Sequence, residues 1–248
     1  MSFLHKLGIG TGTSSGRAVS RPIPQAGRTH SVAPTPAVGS PRPPEGPGSC
    51  RVSNGLKELL WNLDGLGRGT LLDLGPAWQT TLSFFIERGF RVSSEDILRE
   101  WKDFLSEEEV LLRDSRVASE DRDLTPMGRA KRFLDNNLQY AKASFDAVLL
   151  WDLLDYMEPS LAKMAVANLT ELLRPGGVVF AMFHSKKPEG FQRYRVADSN
   201  TLQLISSSVL CPAQKVYQNR EIQDLFSRFR TMKSFVSRDQ LRETLFIK

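Results

Sequence analysis

A chain of 248 residues with 40% hydrophobic content carries enough apolar material for a buried core, in one large domain or two small ones. Its formal charge of +5 would suit a polyanion partner, yet Lys6, Arg17, Arg21, Arg28, Arg42 and Arg51 against Glu45 alone account for that excess. Residues 52–248 hold 27 basic and 27 acidic residues and are not expected to bind nucleic acid. No apolar run is long enough for a membrane span or a secretory leader. Cys50 and Cys211 are too few and too distant for a disulfide framework or a metal knuckle, which predicts a reducing, cytoplasmic setting and no metal.

Residues 1–51 contain Pro22, Pro24, Pro34, Pro36, Pro41, Pro43, Pro44 and Pro47 among many Gly and Ser, with little to bury. This composition predicts a disordered basic tail ahead of a folded domain over 52–248; an organellar transit peptide stays open.

From residue 53 strands and helices alternate. Ser53 can cap a helix carrying Leu56, Leu59, Leu60 and Leu63 at helical spacing. Thr70-Leu71-Leu72-Asp73-Leu74 reads as a strand buried on both faces, Thr80 to Arg88 as a helix, and Phe90-Arg91-Val92-Ser93-Ser94 as a second strand. Ile97 to Arg113 is amphipathic, with Glu107-Glu108-Glu109 on its solvated side, and Lys131-Arg132-Phe133-Leu134 reads as a short third strand. Phe145 to Trp151 is a strong fourth strand, followed by a helix from Pro159 to Leu173. The turn Arg174-Pro175-Gly176-Gly177 leads into a fifth strand, Val178 to Phe183. Asn219 can cap a helix from Arg220 to Phe229, and Met232 to Val236 with Glu243 to Ile247 reads as a closing strand pair. Such alternation predicts an α/β fold whose ligand lies beyond the carboxyl ends of the first and fourth strands.

Three features converge on that edge: the bend Asp73-Leu74-Gly75-Pro76-Ala77-Trp78-Gln79, the acidic Asp96 after the second strand, and Asp135-Asn136-Asn137-Leu138. With Phe145-Asp146-Ala147-Val148-Leu149-Leu150 and Leu172-Leu173-Arg174-Pro175-Gly176-Gly177, they resemble the class I S-adenosylmethionine-dependent methyltransferases of the broad small-molecule type, over about residues 55–183. The resemblance implies a doubly wound, mostly parallel seven-stranded sheet with an antiparallel C-terminal strand, S-adenosylmethionine as cofactor and a small-molecule acceptor. It implies that Asp96 holds the ribose hydroxyls and that Gly75 and Ala77 let the loop pass the methionine moiety. Ile97 and Asn136 would flank the adenine, and Trp151 would line the methyl site. Asp73 either serves the cofactor or caps its own loop, and Asp96 has an alternative as the cap of the next helix.

Ala77 and Gln79 replace two of the family's three motif glycines, and Trp78 can either wall the methionine end or fill it. A nicotinamide enzyme would suffer most from the lost second glycine, because its pyrophosphate needs the backbone close. A cofactor-free interaction module of the same fold is the other alternative. Asp152 and His184 are the candidate catalytic groups, one to orient or deprotonate a substrate hydroxyl and one as a base near neutral pH, each with a polar-loop alternative. Lys186-Lys187 and Arg193-Tyr194-Arg195 can form a lid with affinity for an acidic group.

Overall fold

The structure, a computed structural model, describes residues 48–113, 123–208 and 210–248; the expectation of a disordered tail therefore lies almost entirely outside the described residues. Cys50 and Arg51, read as tail, instead begin a strand, β1 (Cys50–Val52). Ser53 then caps α1 (Asn54–Leu63), its Oγ accepting from the Leu56 N–H at 2.9 Å. The run to the bend forms β2 (Gly69–Asp73), and α2 (Gln79–Ile86) follows with Trp78 as its N-cap residue. Gly89, at φ +86°, makes the turn into β3 (Phe90–Ser94), a conformation that side chains with a Cβ avoid.

Next come α3 (Ile97–Arg113) and α4 (Pro126–Asn137). The latter corrects the expected third strand: Lys131 to Leu134 are helical. Thr125 caps this helix through the Gly128 N–H, Pro126 opens it, and Ala130, Phe133 and Leu134 bury one face at helical spacing. Glu108, expected on a solvated face, is buried between α3 and α4 and ion-paired to Arg129 at 2.5 Å and to Arg132.

β4 (Phe145–Trp151), a short 3₁₀ turn over Leu153–Tyr156, α5 (Pro159–Leu172) and β5 (Leu173–His184) agree with the sequence reading to within a few residues at the ends. The connection after β5, where no element was recognised, contains two strands, β6 (Gln192–Val196) and β7 (Thr201–Ser206). α6 (Asn219–Leu225) is capped by Gln218 and Glu221, so Asn219 is its first helical residue and not its cap. β8 (Thr231–Val236) and β9 (Leu241–Ile247) close the chain as an antiparallel pair.

Two sheets result. The main one runs β3-β2-β4-β5-β9-β8, with the first four strands parallel and β9 antiparallel to both neighbours. It has six strands among the described residues, not the expected seven, the difference being the segment that became α4. Its interior is packed by fully buried Leu71, Leu72, Leu149, Phe180, Phe183 and Phe246, each contributing about 1.5–3 kcal/mol by leaving water. The parallel register pairs Asp73 with Ser94 and with Leu149, and Trp151 with Ala181, so the carboxyl ends of β2 to β5 meet on one edge.

The second sheet, β1-β7-β6, is antiparallel and is tied to the main one by polar contacts. Arg51 on β1 reaches the fully buried Glu243 of β9 at 3.0 Å, and Glu243 also accepts the Gly55 N–H at 2.6 Å. At the other end the Val196 N–H of β6 donates to Thr81 Oγ1 on α2 at 2.9 Å.

Candidate functional site

The bend after β2 forms because Asp73 turns its carboxylate onto its own loop. Oδ1 accepts the Gly75 N–H at 3.0 Å and the Trp151 indole N–H at 2.7 Å, with the residue 1% exposed. Burial pushes this carboxyl up to about 6 against the pull of those two donors, and the neighbouring Asp96 charge adds to the rise. The loop-capping role is therefore realised. Gly75 is required by close approach: a Cβ there would stand 2.8 Å from the Trp151 indole nitrogen.

It is Trp151, not Trp78, that stands over the bend. Trp151 has φ 52°, a strained setting for a bulky side chain, and its ring is stacked parallel to Tyr194 at 5.9 Å and edge-on to Phe180 at 5.9 Å. Trp78 is half-buried at the start of α2, with the Arg195 guanidinium 5.8 Å from its ring, and Ala77 beside it is exposed.

Asp96 follows β3, and its carboxylate is held by Arg193 of β6. Nη2 donates to Oδ2 at 3.1 Å, and Nη1 stands 2.9 Å from Oδ1 as a charge contact without hydrogen-bond alignment. The Arg193 side chain is 7% exposed and the Asp96 side chain 22%. Capping of α3 is not what this side chain does. The sequence offered Arg193-Tyr194-Arg195 as a lid for an acidic group; the acid met by Arg193 is the chain's own, whereas Lys186 and Lys187 are exposed.

Ile97 opens α3 with its side chain buried in the core, and Asn136 is exposed in the last turn of α4. The structure thus brings together Asp73, Gly75, Trp151 and, through Arg193, Asp96, while Ala77 and Asn136 face outward.

A second polar cluster occupies the tips of β4 and β5. Asp152 is buried and accepts the Tyr194 hydroxyl at 3.0 Å; burial pushes its carboxyl up to about 6, opposed by His184 and that hydroxyl. Asp155, which the sequence reading missed, accepts both the His184 backbone N–H at 2.7 Å and the ring Nδ1 at 2.9 Å, leaving Nε2 3.8 Å from Asp152. Burial works against a charged His184, but the Asp155 hydrogen bond and the charges of Asp152 and Asp155 outweigh it and raise the imidazole above its ordinary value. Asp155 is itself raised, chiefly by burial. Asp155 orients the imidazole and fixes which nitrogen carries the proton, the arrangement that a histidine base needs. The spacing Asp152-Leu153-Leu154-Asp155 on a tight turn was the available signal, since it brings two carboxylates to one side.

The donor set at the first cluster suits S-adenosylmethionine in kind: a carboxylate at a strand tip for a sugar diol, and a bend without a side chain for the methionine moiety. In position it does not fit, because Arg193 holds the Asp96 oxygens and the indole fills the space at Gly75. Among the described residues no group of three or more His, Cys, Asp or Glu side chains could hold a metal ion, and no helix is long and apolar enough to cross a membrane.

No family model matches the chain, and no curated protein matches it. Solved structures do. The chain is similar to Burkholderia thailandensis 1,6-didemethyltoxoflavin-N1-methyltransferase, a structure with bound 1,6-didemethyltoxoflavin and S-adenosylhomocysteine, at 17% identity over 79% of each chain with a TM-score of 0.40. It is also similar to an S-adenosylmethionine-dependent methyltransferase from Mesorhizobium loti, at 14% identity over 77% of this chain and 96% of that one with a TM-score of 0.43. A third is from Aquifex aeolicus, at 12% identity over 79% and 90% with a TM-score of 0.41. With identities and TM-scores this low, the architecture rests on the chain's own strand order: a mostly parallel α/β sheet with an antiparallel strand at its C-terminal end.

Proposed function

We propose that the domain is an S-adenosylmethionine-dependent methyltransferase acting on a small-molecule acceptor. The observation that carries this reading is the pair of carboxylates, Asp73 and Asp96, at the tips of adjacent parallel strands on either side of the Gly75 bend. That is the point where the strand order reverses, β2 lying between β3 and β4. The cofactor's sulfonium would supply an already activated methyl group, so the protein's task is to orient the acceptor, exclude water and accept a proton. Asp155 and His184 are suited to the last task, with His184 Nε2 as the accepting atom and Asp152 beside it. Calorimetric titration of the full chain tests the reading: S-adenosylhomocysteine should bind, NADH should not, and Asp96→Ala should abolish the heat. An NADH signal would move the assignment to the nicotinamide enzymes.

A cofactor-free module of the same fold is the second reading, favoured by the occupancy of Asp96 and of the space at Gly75 by Arg193 and Trp151. Absence of binding in the wild-type chain and in every variant that empties the cleft is its expected result.

A further inference from the structure

We propose that β6 is an internal occupant of the cleft, with Arg193 competing directly with the cofactor's sugar diol for Asp96, so that ligand binds only after Arg193 has left. The inference rests on the methyltransferase reading and names what controls access to that same site.

Three contacts carry it. The Arg193 guanidinium stands over both Asp96 oxygens, one through a hydrogen bond at 3.1 Å and one through a charge contact at 2.9 Å, in the place a vicinal diol would take. The Trp151 indole N–H gives Asp73 the kind of donor that an amino group would give, and its ring takes the room that Gly75 leaves. Tyr194 couples the two, since it neighbours Arg193 on β6, stacks on Trp151 and donates to Asp152. With both guanidinium nitrogens within 3.1 Å of the two Asp96 oxygens, a diol coming to the same side of the carboxylate has no room, so the two states exclude one another sterically.

β6 meets the body through three exchangeable polar bonds, Arg193 to Asp96, Tyr194 to Asp152 and the Val196 N–H to Thr81, beside the buried packing of Tyr194 and Val196. Ligand can only shift this equilibrium by its preference for the open form, so weakening the closed form must raise apparent affinity. The Asp96 side chain keeps some contact with water, so removing Arg193 does not strand a wholly buried charge.

The test is calorimetric titration of the full-length chain with S-adenosylhomocysteine, comparing wild type, Arg193→Ala and Tyr194→Phe, each checked for a cooperative thermal transition. Arg193→Ala should bind at least tenfold more tightly than wild type, with Tyr194→Phe between them. Tyr194→Phe keeps the test open if the arginine variant fails to fold. A second readout is tryptophan emission: ligand should change it in wild type, and much of the change should vanish in Trp151→Phe. Equal affinity in wild type and both variants, or weaker binding on loss of Arg193, would overturn the competition while leaving the methyltransferase reading intact. No binding by any form would remove both.

Discussion

The two sheets are held by different physics. The six-stranded sheet is cemented by apolar burial, with Leu149, Phe180 and Phe246 shut away from water, and its geometry has few cheap alternatives. The three-stranded sheet buries Tyr194, Val196 and Leu202, yet at the carboxyl edge of the larger one its directional bonds are those of a guanidinium and a phenol, beside the stacked Tyr194 and Trp151 rings, and a backbone N–H ties it to α2. Apolar packing cannot be exchanged for a ligand contact at small cost, whereas a polar contact can. The contrast assigns rigidity to one layer and access control to the other.

The largest blow to this contrast comes from the core. Phe180→Ala should destabilise the chain by about 3–5 kcal/mol in urea unfolding, because it leaves a cavity under Trp151. A loss comparable to that of a surface substitution would mean the layers are not so different. Next is the tie between them. Arg51→Ala strands the fully buried Glu243 carboxylate and should cost about 3 kcal/mol by the same measurement, with Arg51→Ala/Glu243→Gln recovering part of it. Failure of the double variant to recover anything would show that Arg51 acts by packing alone.

Acidity sharpens the picture further. Asp73 and Asp152 have carboxyls near 6 in the fold against an ordinary value of 3.8, so the native state holds protons that the unfolded chain releases. Their contribution to stability is present below about pH 4 and lost as pH rises to 6. His184 has the same sign, present below 6.5 and lost above its raised value. The thermal midpoint should therefore fall by about 5 °C between pH 5 and pH 8, and Asp73→Asn should flatten the lower part of that slope. A midpoint that climbs over this range would refute the burial of these acids. The smallest effect is at the junction: Ser53→Ala removes the α1 cap and should cost about 1 kcal/mol in urea unfolding, and no measurable change would show that water replaces the hydroxyl.

Legibility in the sequence follows the same division. β2, β4 and β5 were readable because a strand buried on both faces is a continuous apolar run, and α1 because its cap and its leucines agree. α4 was misread since Phe133-Leu134 looks like a short apolar strand when the start signal Thr125-Pro126 is passed over. β6 and β7 were missed although Tyr194-Arg195-Val196 and Leu202-Gln203-Leu204 alternate, because both runs are short and carry Arg193, Arg195 and Gln203 where the parallel strands are continuously apolar. Asp73, Gly75, Asp96 and Trp151 were found from the bend and its spacing, but their partners were not. Arg193 is 97 residues from Asp96, and no local pattern reports such a meeting.

The Arg51 to Glu243 bond has a consequence for how the molecule is made. β1 leaves the ribosome about 150 residues ahead of its hydrogen-bonding neighbour β7 and about 190 residues ahead of the glutamate that neutralises Arg51. Closing so long a loop is slow and gives no reward until both ends exist. The strand edging the smaller layer must therefore wait, unpaired, until β7 emerges, and its arginine waits longer still, until β9 closes the larger sheet.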